Sequence, residues 1–236
     1  MTRIITVFGA TGLQGGSVTR HLSTLNKYTI RAITRNASST SAKTLAALPN
    51  YLRYRRVPHV NLNVGFYLDN WVVTYGNGMV HGALAKSEDG SGALELTQPL
   101  LTSGARQGMI WVERDLGPVV AAVLACWWDG NGEEGRGSNS NSNSNLQGKT
   151  VWAAFDHHCM ADVVAGIQKQ TGRQVRLKTP ASTGIPDLDE LYGYENEFGV
   201  LTDIPLPDPL TVGLGVQFNT LSDWVRDVVV PAVEKM

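Results

Sequence analysis

Residues 3–22, RIITVFGATGLQGGSVTRHL, decide the fold. An apolar, β-branched run passes into closely spaced glycines and then takes up helical spacing. Ile4, Ile5, Val7 and Phe8 read as a buried parallel strand, and Val18, Leu22 and Leu25 place an apolar stripe on the helix that follows. Between them Gly9, Gly12 and Gly15 form G-x-x-G-x-x-G. The first glycine turns the chain, the second lets the backbone approach a pyrophosphate, and the third lets the helix pack closely on the strand. An anion held there sits at a helix N-terminus, where unbonded N–H groups and the macrodipole favour negative charge. The pattern predicts an α/β, Rossmann-like dinucleotide-binding fold, with Gly9, Thr11, Gly12, Leu13, Gln14 and Gly15 as its cofactor loop.

The next strand selects the dinucleotide. Residues 29–34, TIRAIT, read as that strand, and its end falls about 20 residues past the glycines, where an NAD-preferring domain carries an acidic residue against the ribose 2′-hydroxyl. Here Arg35 stands in that place. A guanidinium pairs with a 2′-phosphate, and Asn36, Ser38 and Ser39 add neutral donors, so the reading favours NADP(H). Arg31, inside the strand, reads as an ordinary surface residue.

VFGATGLQGGSV (7–18) followed by RAITRN (31–36) resembles the opening of the NmrA-like proteins, atypical members of the short-chain dehydrogenase/reductase superfamily. Downstream, VPHVNLNVGFYLDNW (57–71) resembles the family's late strand and the aromatic segment after it, and Asp115-Leu116-Gly117 resembles its D-[IL]-G helix start. Residues 149–177 and 220–224 match more loosely. The resemblance also exposes a gap. In the family, the helix corresponding to residues 40–48 is followed by three further strands with their helices, whereas here Asn50 runs straight into Tyr51. About two βαβ units, each of roughly 30 residues or more, are missing. The resemblance therefore implies a truncated Rossmann part with strands 3 to 5 absent, and a smaller C-terminal lobe on the substrate side.

That gap bears on chemistry. The superfamily's reductases take their acid/base group from the missing region, as a Tyr-x-x-x-Lys pair or a lysine. No tyrosine here has a lysine four residues on, and Tyr51-Leu52-Arg53-Tyr54-Arg55 offers an arginine that cannot tune a tyrosine by losing its proton. No catalytic residue is assigned. The resemblance implies a non-catalytic or weakly active, dinucleotide-sensing regulator, with a transcription factor or other protein as partner. Its alternatives are an NADP-dependent reductase of a small molecule, or an inactive shortened isoform or incomplete gene model.

Composition bounds these readings. The 236 residues, 42% hydrophobic and 17% charged, suffice for one sizeable core or a large and a small lobe. A net charge of -1 with no basic stripe argues against direct nucleic-acid binding. Cys126 and Cys159 form no disulfide framework, no apolar run reaches about 18 residues, and the expected location is cytoplasmic, with the nucleus open. His157, His158 and Cys159 are adjacent and point in different directions, with no distant partner pair, so they read as the start of a helix and not as a metal site.

The chain divides on this reading into a truncated NADP-binding part (1–71), a loop-rich segment with a helix (72–128), a flexible linker (129–148) and a C-terminal α/β lobe (149–236). The linker carries DGNGEEGRGSNSNSNSN, too polar to offset its ordering entropy. Residues 108–112 read as a strand, and Asp115 as the N-cap of a helix over 116–128. Further strands are expected over 150–155 and 173–178, and helices over 160–171 and 221–233. Phe66, Tyr67 and Trp71 either pack in a core or floor a pocket. With the middle strands gone, residues 59–66 are expected to pair with residues 3–8, in the order strand 2, strand 1, late strand.

Overall fold

A computed structural model describes residues 3–10, 12–33, 59–72, 83–130 and 146–236. In chain order its elements are β1 (Arg3–Phe8), α1 (Leu13–Thr24), β2 (Tyr28–Ile33), β3 (Asn61–Val64), β4 (Phe66–Tyr67), β5 (Ala83–Lys86), β6 (Leu94–Thr97), β7 (Arg106–Ile110) and α2 (Val112–Gly130). Then follow β8 (Thr150–Ala153), β9 (Asp156–Cys159), α3 (Met160–Thr171), β10 (Val175–Lys178), α4 (Pro186–Phe198), α5 (Pro209–Gly213), α6 (Leu221–Trp224), a π-helical turn (Val225–Val229) and α7 (Val230–Glu234). They form two compact units, each woven from separated stretches of chain. The first comprises Met1–Val64, Val112–Ala153 and Asp208–Gln217; the second comprises Gly65–Trp111, Ala154–Pro207 and Phe218–Met236.

In the first unit β1 and β2 run parallel, Arg3 opposite Tyr28 through Phe8 opposite Ile33. The expected pairing of residues 59–66 with β1 is not found. Those residues form β3 and the start of β4, and β3 pairs in parallel with β8, Asn61 opposite Thr150 through Val64 opposite Ala153. Among the described residues β1 has only β2 as a partner. Parallel pairing needs a crossover, and any segment that brings a compatible run alongside can supply the partner. For β3 that run lies far downstream. Nor is β1 buried on both faces, since Ile4 is 53% exposed and Thr6 is exposed, while Ile5 and Val7 are half-buried.

What fastens α1 is a close crossing with α2. The Ser17 hydroxyl donates to the Glu113 carbonyl at 3.1 Å and accepts from the Gly117 N–H at 3.2 Å. These are two groups that a helix pairs with each other, so Ser17 bridges one rung of the ladder, next to Pro118. Gly117 is required there. A Cβ on it would lie 2.5 Å from His21 Cβ and 2.9 Å from the Ser17 carbonyl oxygen. Leu22, Leu116, Val119, Leu146 and Val151 are among the buried apolar residues of this unit. Asp115 is therefore not the N-cap: α2 begins at Val112, which puts Asp115 in the first turn, 1% exposed and on the side of the helix dipole that favours a carboxylate.

The second unit holds two three-stranded sheets, β10-β6-β5 and β4-β7-β9. Its core runs through Leu68, Leu94, Leu96, Met109, Met160 and Ile167, with Trp71 and Trp224 packed at 5.9 Å between ring centroids. Phe66 joins Trp71 at 5.4 Å, so of the two roles open to these aromatics the structure gives both residues core packing. The helix expected over 160–171 forms as α3 and stops at Gly172, whose φ of 66° admits no Cβ cheaply. The single helix expected over 221–233 is interrupted. The Val230 N–H reaches back five residues to the Val225 carbonyl, and α7 restarts with Pro231 in its first turn. Residues 34–58, including the expected helix over 40–48, and 131–145 of the expected linker lie outside the described residues.

Gly117→Val is expected to lower unfolding stability by about 1–3 kcal/mol, because it overpacks the α1–α2 crossing. Gly104→Ala, whose Cβ meets nothing within 4 Å, should shift it by less than about 0.5 kcal/mol. Urea unfolding of the two variants checks this.

Candidate functional site

The loop between β1 and α1 is built by its glycines. Gly9 has φ 66°, in the left-handed region, and turns the chain so that the Gly12 N–H donates to its carbonyl at 2.9 Å. Gly12 is the extended N-cap of α1, and its carbonyl accepts from the Gly16 N–H at 2.7 Å. Gly15 is the close-approach position. A Cβ there would strike the Gly9 carbonyl oxygen and lie 2.7 Å from the carbonyl carbon. Any side chain at residue 15 therefore forces the loop apart.

Nothing on the helix itself neutralises its N-terminal end. The cap makes no side-chain hydrogen bond and the first turn carries no acidic residue. An α-helix leaves its first N–H groups without internal partners, so the end presents donors and partial positive charge. Arg20, one turn further along, ion-pairs with Glu113 at 3.6 Å on the surface. Gly9, Gly12, Leu13, Gln14 and Gly15 thus fall together on one loop and helix start. Thr11, Arg35, Asn36 and Ser38 lie outside the described residues. Sequence reasoning missed Ser17, whose signal was its place two residues after the last expected glycine contact, facing α2.

The second unit carries a separate set of buried polar groups on α4 and the strands near it. Glu195 is 6% exposed, and its Oε2 has no hydrogen-bond partner; burial pushes its carboxyl up to about 7. Tyr192, one turn earlier on the same face, is 4% exposed. Burial first, and then the charge of Glu195, raise its hydroxyl above the ordinary value, against a hydrogen bond from Gln98 that lowers it. Gln98 is fully buried, and its Oε1 accepts from Trp71 Nε1 at 3.0 Å. A protonated Glu195 can donate a hydrogen bond, which an ionised one cannot.

His157, His158 and Cys159 serve helix α3 and its surroundings. Cys159 is the N-cap of α3 in a reciprocal box with Asp162, whose Oδ2 accepts from the Cys159 N–H at 2.8 Å. His157 Nε2 lies 2.7 Å from the Leu201 carbonyl oxygen, and His158 faces Asp156 and Asp162 at 3.9 Å each. Cys126 and Cys159 are free thiols. No group of three or more histidine, cysteine or acidic residues that could hold a metal occurs among the described residues. No helix among them is long and apolar enough to cross a membrane.

The glycine loop lies within the part of the chain that has named relatives: the model of the NmrA-like family matches residues 1–51. The likeness to that family is confined, in this match, to those residues. An NmrA-like family domain-containing oxidoreductase of Aspergillus campestris is 62% identical over 45 residues, which make up 19% of this chain and 13% of that protein. One from Aspergillus versicolor is 56% identical over 46 residues, again 13% of its length. The chain thus matches about an eighth of the length of these curated relatives. Over the whole chain the likeness is one of fold. The crystal structure of Nmra, a negative transcriptional regulator, aligns over 100% of this chain and 98% of its own with TM-score 0.65 at 14% identity, and the same protein in complex with NADP gives 0.65 at 14%. The architecture is the Rossmann-like, mixed α/β fold of Nmra.

Glu195 generates a pH dependence of stability. Its folded pKa lies above the unfolded value near 4.5, so its protonated form favours folding. That contribution is fully present below pH 4.5 and is lost as the pH rises through about 7. Glu195→Gln should therefore exceed the parent chain in stability by about 2–3 kcal/mol at pH 8 and match it near pH 4. Urea unfolding across this range is the measurement.

Proposed function

We propose that the first unit binds a dinucleotide, NADP(H) in preference to NAD(H), and that the chain acts as a dinucleotide-responsive regulator with little or no turnover. The observation that carries the reading is the Gly15 approach: a backbone with no room for a Cβ, beneath a helix end with no acidic residue, is what a pyrophosphate requires. The Nmra crystal structures with NADP and with NAD support it as relatives of the fold. Gly9, Thr11, Gly12, Leu13, Gln14 and Gly15 would hold the pyrophosphate, and Arg35, Asn36 and Ser38 the 2′-phosphate. A bound dinucleotide supplies hydride chemistry. The residues named here would bind and orient it.

A second reading, an NADP-dependent oxidoreductase, draws on the names of the Aspergillus relatives. The absence of Tyr-x-x-x-Lys from the sequence weighs against it, since general acid/base help contributes about 100- to 10,000-fold. NADPH should bind more tightly than NADH by calorimetry, and Arg35→Ala should remove roughly 1.5–3 kcal/mol of that preference. Gly15→Ala should abolish binding of both. Equal affinities would refute the 2′-phosphate assignment, and substrate-dependent NADPH consumption with carbonyl or activated-alkene substrates would promote the oxidoreductase.

We infer further that central strands of the family fold are missing at the Asn50/Tyr51 junction. The family model stops matching at residue 51, and β1 keeps one strand partner among the described residues. Sequencing the transcript across these two codons is expected to return them contiguous in a shortened form; intervening coding sequence would make the chain an incomplete gene model.

A further inference from the structure

Helix α4 shows two faces. Tyr192 and Glu195, one turn apart, are buried and anchor it to the second unit. On its outer side Leu191, Tyr194 and Phe198 recur at helical spacing and are 46%, 58% and 54% exposed. The Tyr194 and Phe198 rings touch, tilted by 36° with 4.7 Å between centroids, so they already form one surface. Three large apolar side chains left outside on adjoining turns are unusual where a core lies one helix face away.

On the helix itself the charges beside that stripe have one sign. Asp187 sits one turn before Leu191, and Glu190 and Glu197 flank the stripe along one side, all three exposed. The helix sequence, PDLDELYGYENEF, contains no lysine or arginine. Asp189 is already engaged by Ser182 and Thr183 and is not counted in that rim.

We propose that the outer face of α4 docks a basic amphipathic helix of another protein, whose apolar side covers Leu191, Tyr194 and Phe198 and whose lysines or arginines meet Asp187, Glu190 and Glu197. Charge complementarity selects this occupant. A second copy presenting the same face would place acidic rims together, and an anionic membrane surface would be repelled. The aromatic pair supplies rigid contact area and the carboxylates fix orientation and speed encounter. The surface is confined to the second unit and stands independently of the nucleotide reading.

The probe is a fluorescent 18-residue leucine/lysine amphipathic peptide, with its leucine/glutamate counterpart, titrated against the full chain by anisotropy. The lysine peptide should bind at least tenfold more tightly than the glutamate peptide. Tyr194→Ser with Phe198→Ser should weaken it by tenfold or more, and Glu190→Lys with Glu197→Lys by about fivefold or more. All four positions are exposed, so circular dichroism and the unfolding midpoint should stay at the parent values. Equal binding of both peptides, or binding untouched by either double variant, overturns the proposal. So does a dimer in sedimentation that Phe198→Ser dissolves, which would assign the face to a second copy, and so does binding to neutral lipid vesicles that the same variant abolishes.

Discussion

The first unit depends on one crossing, Ser17 of α1 set into the opening turns of α2. Two parallel strands and a helix bury too little apolar surface to persist alone. β1 has one strand partner among the described residues and a half-exposed Ile4, so its sheet cannot hold the loop in place by itself. The Ser17 hydroxyl supplies what is missing, because it satisfies the Glu113 carbonyl and the Gly117 N–H together. Gly117 lets the helices approach closely enough for that bridge. The glycine loop begins where α1 begins, so whatever fixes α1 also fixes the direction of its N-terminal N–H groups.

How far this was readable in the sequence depends on the range of each signal. The strand, glycine turn and helix at residues 3–24 were legible because each glycine has a local task, and β2 differs from its expected span by one residue at each end. α3 and its stop at Gly172 were legible for the same reason. The partner of β3 was not, because pairing with β8 joins residues more than eighty positions apart and neither strand carries a mark that names the other. The start of α2 was misplaced because Asp115 has the composition of a cap, while the turn before it, Val112 to Arg114, has no local signal as strong. α4 went unread although Pro186 at its first position and Gly199 after its last are ordinary boundary marks; its apolar residues point both inward and outward and blur the period. At the site, the glycine positions were readable and Ser17 was not, since its role exists only once α2 lies across it.

Strand alternation explains a less comfortable feature of the second unit. Gln107 of β7 is fully buried and neither atom of its carboxamide has a hydrogen-bond partner. Each such atom costs on the order of 1–3 kcal/mol. The backbone leaves it no other place. Gly108 faces Leu201 and Leu206, and a Cβ on it would lie 2.8 Å from Leu206 Cδ1. Gln107 and Met109 must then share the opposite face, and Met109 belongs to the core. A one-residue slip of β7 would free Gln107 only by driving Met109 out and a side chain against Leu201 and Leu206. The strand is also held from both sides by backbone, through β9 and through the Gly108 N–H to the Val200 carbonyl at 2.9 Å. The buried carboxamide is thus a consequence of where Gly108 has to sit, and the register that packs Met109 into the core is the one that strands Gln107 there.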